Sequence, residues 1–437
     1  MTPEGPDPGG GHLVPPGPGA DRPDGALVLA PAPPRAGSRL RWIVEANVVV
    51  VTALAIVSSL VLGGVLIIAT SPTVLHALAH IGSHPGRALG VAGSTVGDAY
   101  AAIFTGAIVS PTALGHAITT GHGWTGVLTP ISETLVSATP LVLAGLGVAI
   151  GFGTGVFNIG AQGQLIAGAL AALYVGFAVH LPIGIHLPLV VLAGALGGAV
   201  AGFIPGYLKA RTGAHEVIST IMLNYVFLNL LNELLTTQPF QQPGQSNAIS
   251  RTIPTTARLP HLFGSGLRAN LGFVIAVVCV LGASWFTRRS TAGFAFRVIG
   301  SNPKAGRTAG IDVRKVTTAV LALSGALAGL AGMATLSGTD FFLSSGYGGN
   351  IGFDAITVAL LGRNRPVGVF LGALLFAALD TGGRNMQAAT GIPLDLAFVI
   401  QAIIVFFVAT PSLVREIYRL RESGASIGQV LSKGWGG

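Results

Sequence analysis

Asn158, Gln162 and Gln164 fall within seven residues, NIGAQGQ, between the apolar runs LVLAGLGVAIGFGTGVF and LIAGALAALYVGFAV. A carboxamide both donates and accepts hydrogen bonds. Three of them together can line a wet pathway, or bond across helices and fasten a bundle. In lipid, unpartnered amides are costly, so the position demands one of these two uses. Gly151, Gly153, Gly155, Gly160 and Gly163 surround the amides and suit a broken or closely packed helix. A dinucleotide fingerprint does not fit, because no strand pattern precedes the glycines.

Asn224 lies two turns inside HEVISTIMLNYV, residues 215–226, and is a further candidate for the pathway. Glu216, at the start of the same run, reads as an end cap or an interfacial salt bridge, where a helix dipole favours an anion. The loop 288–315, RRSTAGFAFRVIGSNPKAGRTAGIDVRK, is dense in basic residues. Its Asn302-Pro303 pair can open a short helix through Lys304 and Arg307, and Gly310 can end it. Such a helix can dock a cytoplasmic partner, although spacing alone favours simple fixation of topology by charge. Asp354 and Asp380 sit at the ends of apolar stretches, as solvated ends or as carboxylates that couple protons.

Other chemistry is missing. There is no G-x-x-x-x-G-K-[ST] loop, no Ser/His/Asp arrangement and no metal-ligand spacing, and Cys279 stands alone. No catalytic residue, metal or cofactor is expected.

The elements that carry these residues follow from composition. Of 437 residues, 51% are hydrophobic and 9% charged, against about 25% charged in a soluble domain. This describes an all-α, polytopic membrane protein. Apolar runs long enough for a span of about 20 residues are 44–69, 133–152, 159–180, 187–208, 216–236, 270–287, 316–337, 351–362, 366–383 and 395–412. That gives about ten transmembrane helices, with 351–362 short. Residues 1–40 read as a disordered cytoplasmic tail, 41–412 as the membrane domain and 413–437 as a second cytoplasmic tail. Within the domain, 71–132 reads as an extracytoplasmic segment, its stretch 98–112 re-entrant or on the surface. Residues 237–269, with four prolines, read as an extracytoplasmic loop. This arrangement puts 19 of the 24 Lys and Arg residues inside and 5 outside, with both termini cytoplasmic. The net charge of +8 is thereby explained by the bilayer rather than by nucleic acid.

Four runs, ATPLVLAGLGVAIGFGTGVFNIGAQGQLIAGA, HEVISTIMLNYV, RVIGSNPKAGRTAGI and GFDAITVALLGRNRPVG, occur in an order that resembles the permease subunits of ABC importers. The branch is that of branched-chain amino acid and simple-sugar permeases, closest to those for nucleosides. The resemblance covers roughly residues 130–412. It implies a second, related permease, two cytoplasmic ATPase subunits that hydrolyse the ATP, and an extracytoplasmic solute-binding lipoprotein. It also implies that 288–315 holds the helix that couples to an ATPase, through Asn302, Pro303, Lys304, Arg307 and Gly310. Gln162 departs from the pattern, since many relatives carry Glu there. The expected function is import of nucleosides or related sugar-like solutes, with Asn158, Gln162, Gln164 and Asn224 on the pathway. The rival is an ion-coupled secondary transporter or channel that works without an ATPase.

Overall fold

The computed structural model describes residues 48–419, so the tail expected at 1–40 and residues 420–437 of the tail expected at 413–437 lie outside the described residues. Among the described residues every named element is a helix, and β-pairing is limited to isolated bridges in loops. Eight helices are long and apolar enough to cross a bilayer, and up to ten spans result if each of two bent pairs counts as one. The polytopic all-α expectation therefore stands.

In chain order the elements are α1 (Val48–Thr70), α2 (Pro72–Ala79), α3 (Pro85–Ala107), α4 (Pro111–Thr120), α5 (Trp124–Gly153), α6 (Ala161–Ala178), α7 (Ile183–Thr212) and α8 (Glu216–Thr236). Then come α9 (Leu271–Arg289), α10 (Thr291–Ser301), α11 (Pro303–Thr308), α12 (Val313–Thr335), α13 (Ile351–Leu361), α14 (Pro366–Thr390), α15 (Leu394–Ala409) and α16 (Pro411–Ile417). A π turn, Leu336–Asp340, continues α12.

The apolar windows of α5, α6 and α12 are 78%, 72% and 67% buried, whereas those of α8 and α9 are 17% buried. The first three helices form the centre and the last two the periphery. With so little polarity along any of these helices, burial is decided by which side chains are small. Gly198 of α7 faces Gly325 and Gly329 of α12, and a Cβ on Gly198 would collide with the Gly325 carbonyl. Gly194, Gly202 and Gly206 continue this contact along the same face of α7, so its four-residue glycine spacing sets the closest helix pair.

Two segments differ from the sequence expectation. Residues 351–362 do not form a span: α13 has 11 residues, a rise of about 16 Å, near half of a hydrocarbon core of about 30 Å. Irregular chain at 341–350 leads into it. Residues 71–132, expected as an extracytoplasmic segment, are largely helical and pack on the bundle. They contain the 23-residue helix α3, which bends by 54° into α4 and packs on α14, with Gly106 against Asn385 and Gly382 against Ile103. Glycine and Asp98 lower the hydropathy of α3 and hide it from a search for apolar runs.

Candidate functional site

The chain leaves α5 at Gly153, runs without helix through 154–160 and enters α6 at Ala161. The interruption frees backbone groups inside the bundle, and side-chain amides satisfy them. Asn158 is fully buried. Its Nδ2 donates to Gln164 Oε1 at 2.8 Å and to Ser324 Oγ of α12 at 2.7 Å. Its Oδ1 accepts from the Gly160 N–H at 3.0 Å and from Gln164 Nε2 at 3.1 Å. Asn224 of α8 accepts the Gly163 N–H at 2.8 Å and donates to the Ile159 carbonyl at 2.9 Å. Gln162 accepts the Gly352 N–H at 2.8 Å and donates to the Tyr347 carbonyl at 3.4 Å. The four amides thus form one region, and each is spent on protein partners from α6, α8, α12 and the start of α13. Glu216 makes an ion pair with Lys209 at 2.5 Å across the turn from α7 to α8.

A cavity of about 890 Å³ lies among α5, the end of α12, α13, α14 and α15. None of the four amides lines it. Its polar wall includes Glu133, Arg268, Asp340, Asp354, Asp380 and Arg384. Arg268 pairs with Glu133 at 3.0 Å, and Arg384 with Asp380 at 2.8 Å. Asn270 fixes the nearby chain: it caps α9 through the Gly272 N–H at 3.0 Å and donates to the Gly338 carbonyl at 3.1 Å. Sequence reasoning singled out Asp354 and Asp380 but missed Asn350 and Gln401 on this wall. Gln401 carried a usable signal, a carboxamide inside the apolar run LAFVIQAIIVFF, the same anomaly as NIGAQGQ. Asn350 carried none, because it lies in a polar loop.

The basic loop sits at the other end of the bundle. Along α9, Asn270 marks the cavity end and Arg288 and Arg289 the opposite end; along α12, Arg314 and Lys315 are likewise remote from Asp340. There α10 and α11 form a short elbow. Asn302 Oδ1 accepts the N–H groups of Lys304 and Ala305 at 2.9 and 3.3 Å, Pro303 occupies the first turn, and Gly310 follows with φ of 78°. Pro303, Lys304 and Arg307 are exposed. Gly300 packs against the backbone of Gly153 and Thr154, so the elbow rests on the chain that leads to the amide cluster.

Residues 131–409 match the family described as branched-chain amino acid transport system / permease component. The guanosine ABC transporter permease protein NupP of Bacillus subtilis is 37% identical over 71% of this chain and 92% of its own length. The glucose ABC transporter permease protein TsgB13 of Haloferax volcanii is 36% identical over 66% of this chain and 78% of its own. The nucleoside ABC transporter permease protein NupB of Lactococcus lactis is 34% identical over 65% of this chain and 80% of its own. All three are ABC transporter permeases, which leaves the ion-coupled alternative without support. No solved structure matches.

Proposed function

The chain belongs to the branched-chain amino acid transport system permease family, and on that premise we propose that it forms the translocation pathway of an ABC importer for nucleosides or related sugar-like solutes. Its partners are two cytoplasmic ATPase subunits, a second related permease and an extracytoplasmic solute-binding lipoprotein. The basic end faces the cytoplasm, and the cavity end faces outward.

The observation that carries this reading is the seating of the α10–α11 elbow. Its capped, exposed turn presents Lys304 and Arg307, while Gly300 at its base bears on Gly153 and Thr154. A push or pull on the elbow by an ATPase would reach residues 154–160 directly. From there the amides link onward, Asn158 to Ser324 of α12 and Gln162 to Gly352 of α13, the helix that lines the cavity. The four amides serve the pathway by holding the interrupted helices that form its wall.

Reconstitution with the partner subunits in proteoliposomes tests this. The expected result is uptake that requires ATP. Uptake by this chain alone, driven by a proton gradient and indifferent to ATP, would overturn it. Replacement of residues 304–309 by a Gly/Ser linker is expected to abolish co-purification of the ATPase; retention would remove the elbow from the coupling route.

A further inference from the structure

Polar side chains inside this bundle fall into two sets. Asn158, Gln162, Gln164 and Asn224 are hydrogen-bonded to protein. Around the 890 Å³ cavity, among the described residues, the side chains of Asn350, Asp354, Thr357 and Gln401 have no hydrogen-bond partner. Polar groups that line an interior space and are left unpaired are placed for water or for a ligand. The volume lies in the range of small-molecule sites.

The lining also has a definite character. Asp354 occupies the first turn of α13. The two cationic groups, Arg268 and Arg384, are already committed to Glu133 and Asp380. The wall holds four carboxylates, Glu133, Asp340, Asp354 and Asp380, against two guanidinium groups, so its net charge is negative and the field disfavours an anionic guest. Phe376 and Phe398 supply apolar surface on the same wall. Glu133, Ser137 and Arg384 also line a second recess of about 620 Å³, with Thr105, Thr129 and Asn385, so the cavity has a polar neighbour on its approach.

We propose that this cavity is a solute chamber within a single permease chain, selective for an uncharged solute with adjacent hydroxyls. Two hydroxyls donate to the Asp354 carboxylate, whose two oxygens accept side by side. Asn350 and Gln401 pair with further polar groups, the apolar part of the solute lies against Phe376 and Phe398, and phosphorylated forms are excluded by charge. The inference rests on the importer reading above and adds the place and the chemistry of recognition.

The test uses the complete transporter in proteoliposomes with labelled guanosine or glucose, whichever the wild type imports with ATP. Competitors are the corresponding 2′-deoxyguanosine or 2,4-dideoxyglucose, each without an adjacent hydroxyl pair on its sugar ring, and the phosphorylated form. The solute-binding lipoprotein is the same throughout, so any difference between permease variants belongs to the permease. Asp354→Asn is expected to raise KM about tenfold, and the disadvantage of the deoxy competitor, large in the wild type, is expected to shrink by a similar factor. Gln401→Ala, on a different helix, is expected to raise KM without erasing the deoxy discrimination. The phosphorylated form is expected not to compete in the wild type. ATP-driven uptake whose KM and deoxy discrimination are unchanged in Asp354→Asn would overturn the chamber and leave the importer reading intact. A wild type whose uptake of nucleosides and sugars is indifferent to ATP would overturn both.

Discussion

The side-chain carbonyl of Gln162 accepts the backbone N–H of Gly352 at 2.8 Å and so ties together the first turns of two helices that lie 190 residues apart in the chain. Gly352 rests flat on Gln162, and a Cβ there would strike the Gln162 backbone. Both helices begin inside the bundle, at positions where an ordinary span would be continuous. One amide therefore serves as the junction between the interrupted α5–α6 region and the helix that carries Asp354.

Gln162→Ala leaves the Gly352 N–H buried without an acceptor, at a cost of about 1–3 kcal/mol. The expected result is a lower melting temperature for the detergent-solubilised protein and reduced uptake. Gln162→Glu keeps an acceptor at a place where two helix N-termini meet, which favours a carboxylate. It is expected to retain most of the stability that Ala loses. Equal losses in the two variants would show that the acceptor is not what matters.

Asn158 is joined to Gln164 by hydrogen bonds in both directions. Asn158→Leu strands Gly160, Gln164 and Ser324 together and is expected to destabilise strongly. Adding Gln164→Leu is expected to cost much less than it does alone, with a coupling of about 0.5–3 kcal/mol in a double-mutant cycle followed by thermal unfolding. Additive losses would mean that the two amides act separately.

Gly198 and Gly282 offer a matched pair. Gly198 faces the backbone of α12, whereas nothing lies within 4 Å of a Cβ built on Gly282 of α9. Gly198→Ala is expected to overpack the α7–α12 contact at a cost of about 1–3 kcal/mol and to lower the folded yield. Gly282→Ala is expected to be neutral or to stabilise by up to about 1 kcal/mol through helix propensity. Size-exclusion profiles after graded heating separate the two.

Asn302→Ala removes the acceptor for the Lys304 and Ala305 N–H groups, at a cost of about 1 kcal/mol to a helix of six residues. Asn302 and the N–H groups it caps lie on the exposed side of the elbow, so global melting is expected to stay unchanged while ATPase co-purification and uptake fall. Asn302→Asp preserves the cap and is expected to retain both. A fall in melting temperature equal to that of Gln162→Ala would place Asn302 in the core rather than in coupling.

The sequence by itself determined the membrane class, most of the long helices and the short helix opened by Asn302-Pro303. Each of these rests on local composition or fixed spacing, which a linear pattern carries in full. It also marked NIGAQGQ as a place where polar groups need partners. Only the tertiary structure decided who those partners are. Asn158 finds Ser324, 166 residues away, and Gln162 finds Gly352, because the turns between helices fold distant segments together. The same is true of the cavity: Asp354, Gln401 and Arg268 come from separate elements, and nothing in their spacing brings them to one wall. Helix α3 was hidden and α13 overcounted for a related reason. Hydropathy measures how apolar a run is, whereas the length of a helix and the neighbours that bury it decide whether it crosses, stops half-way or lies against the bundle.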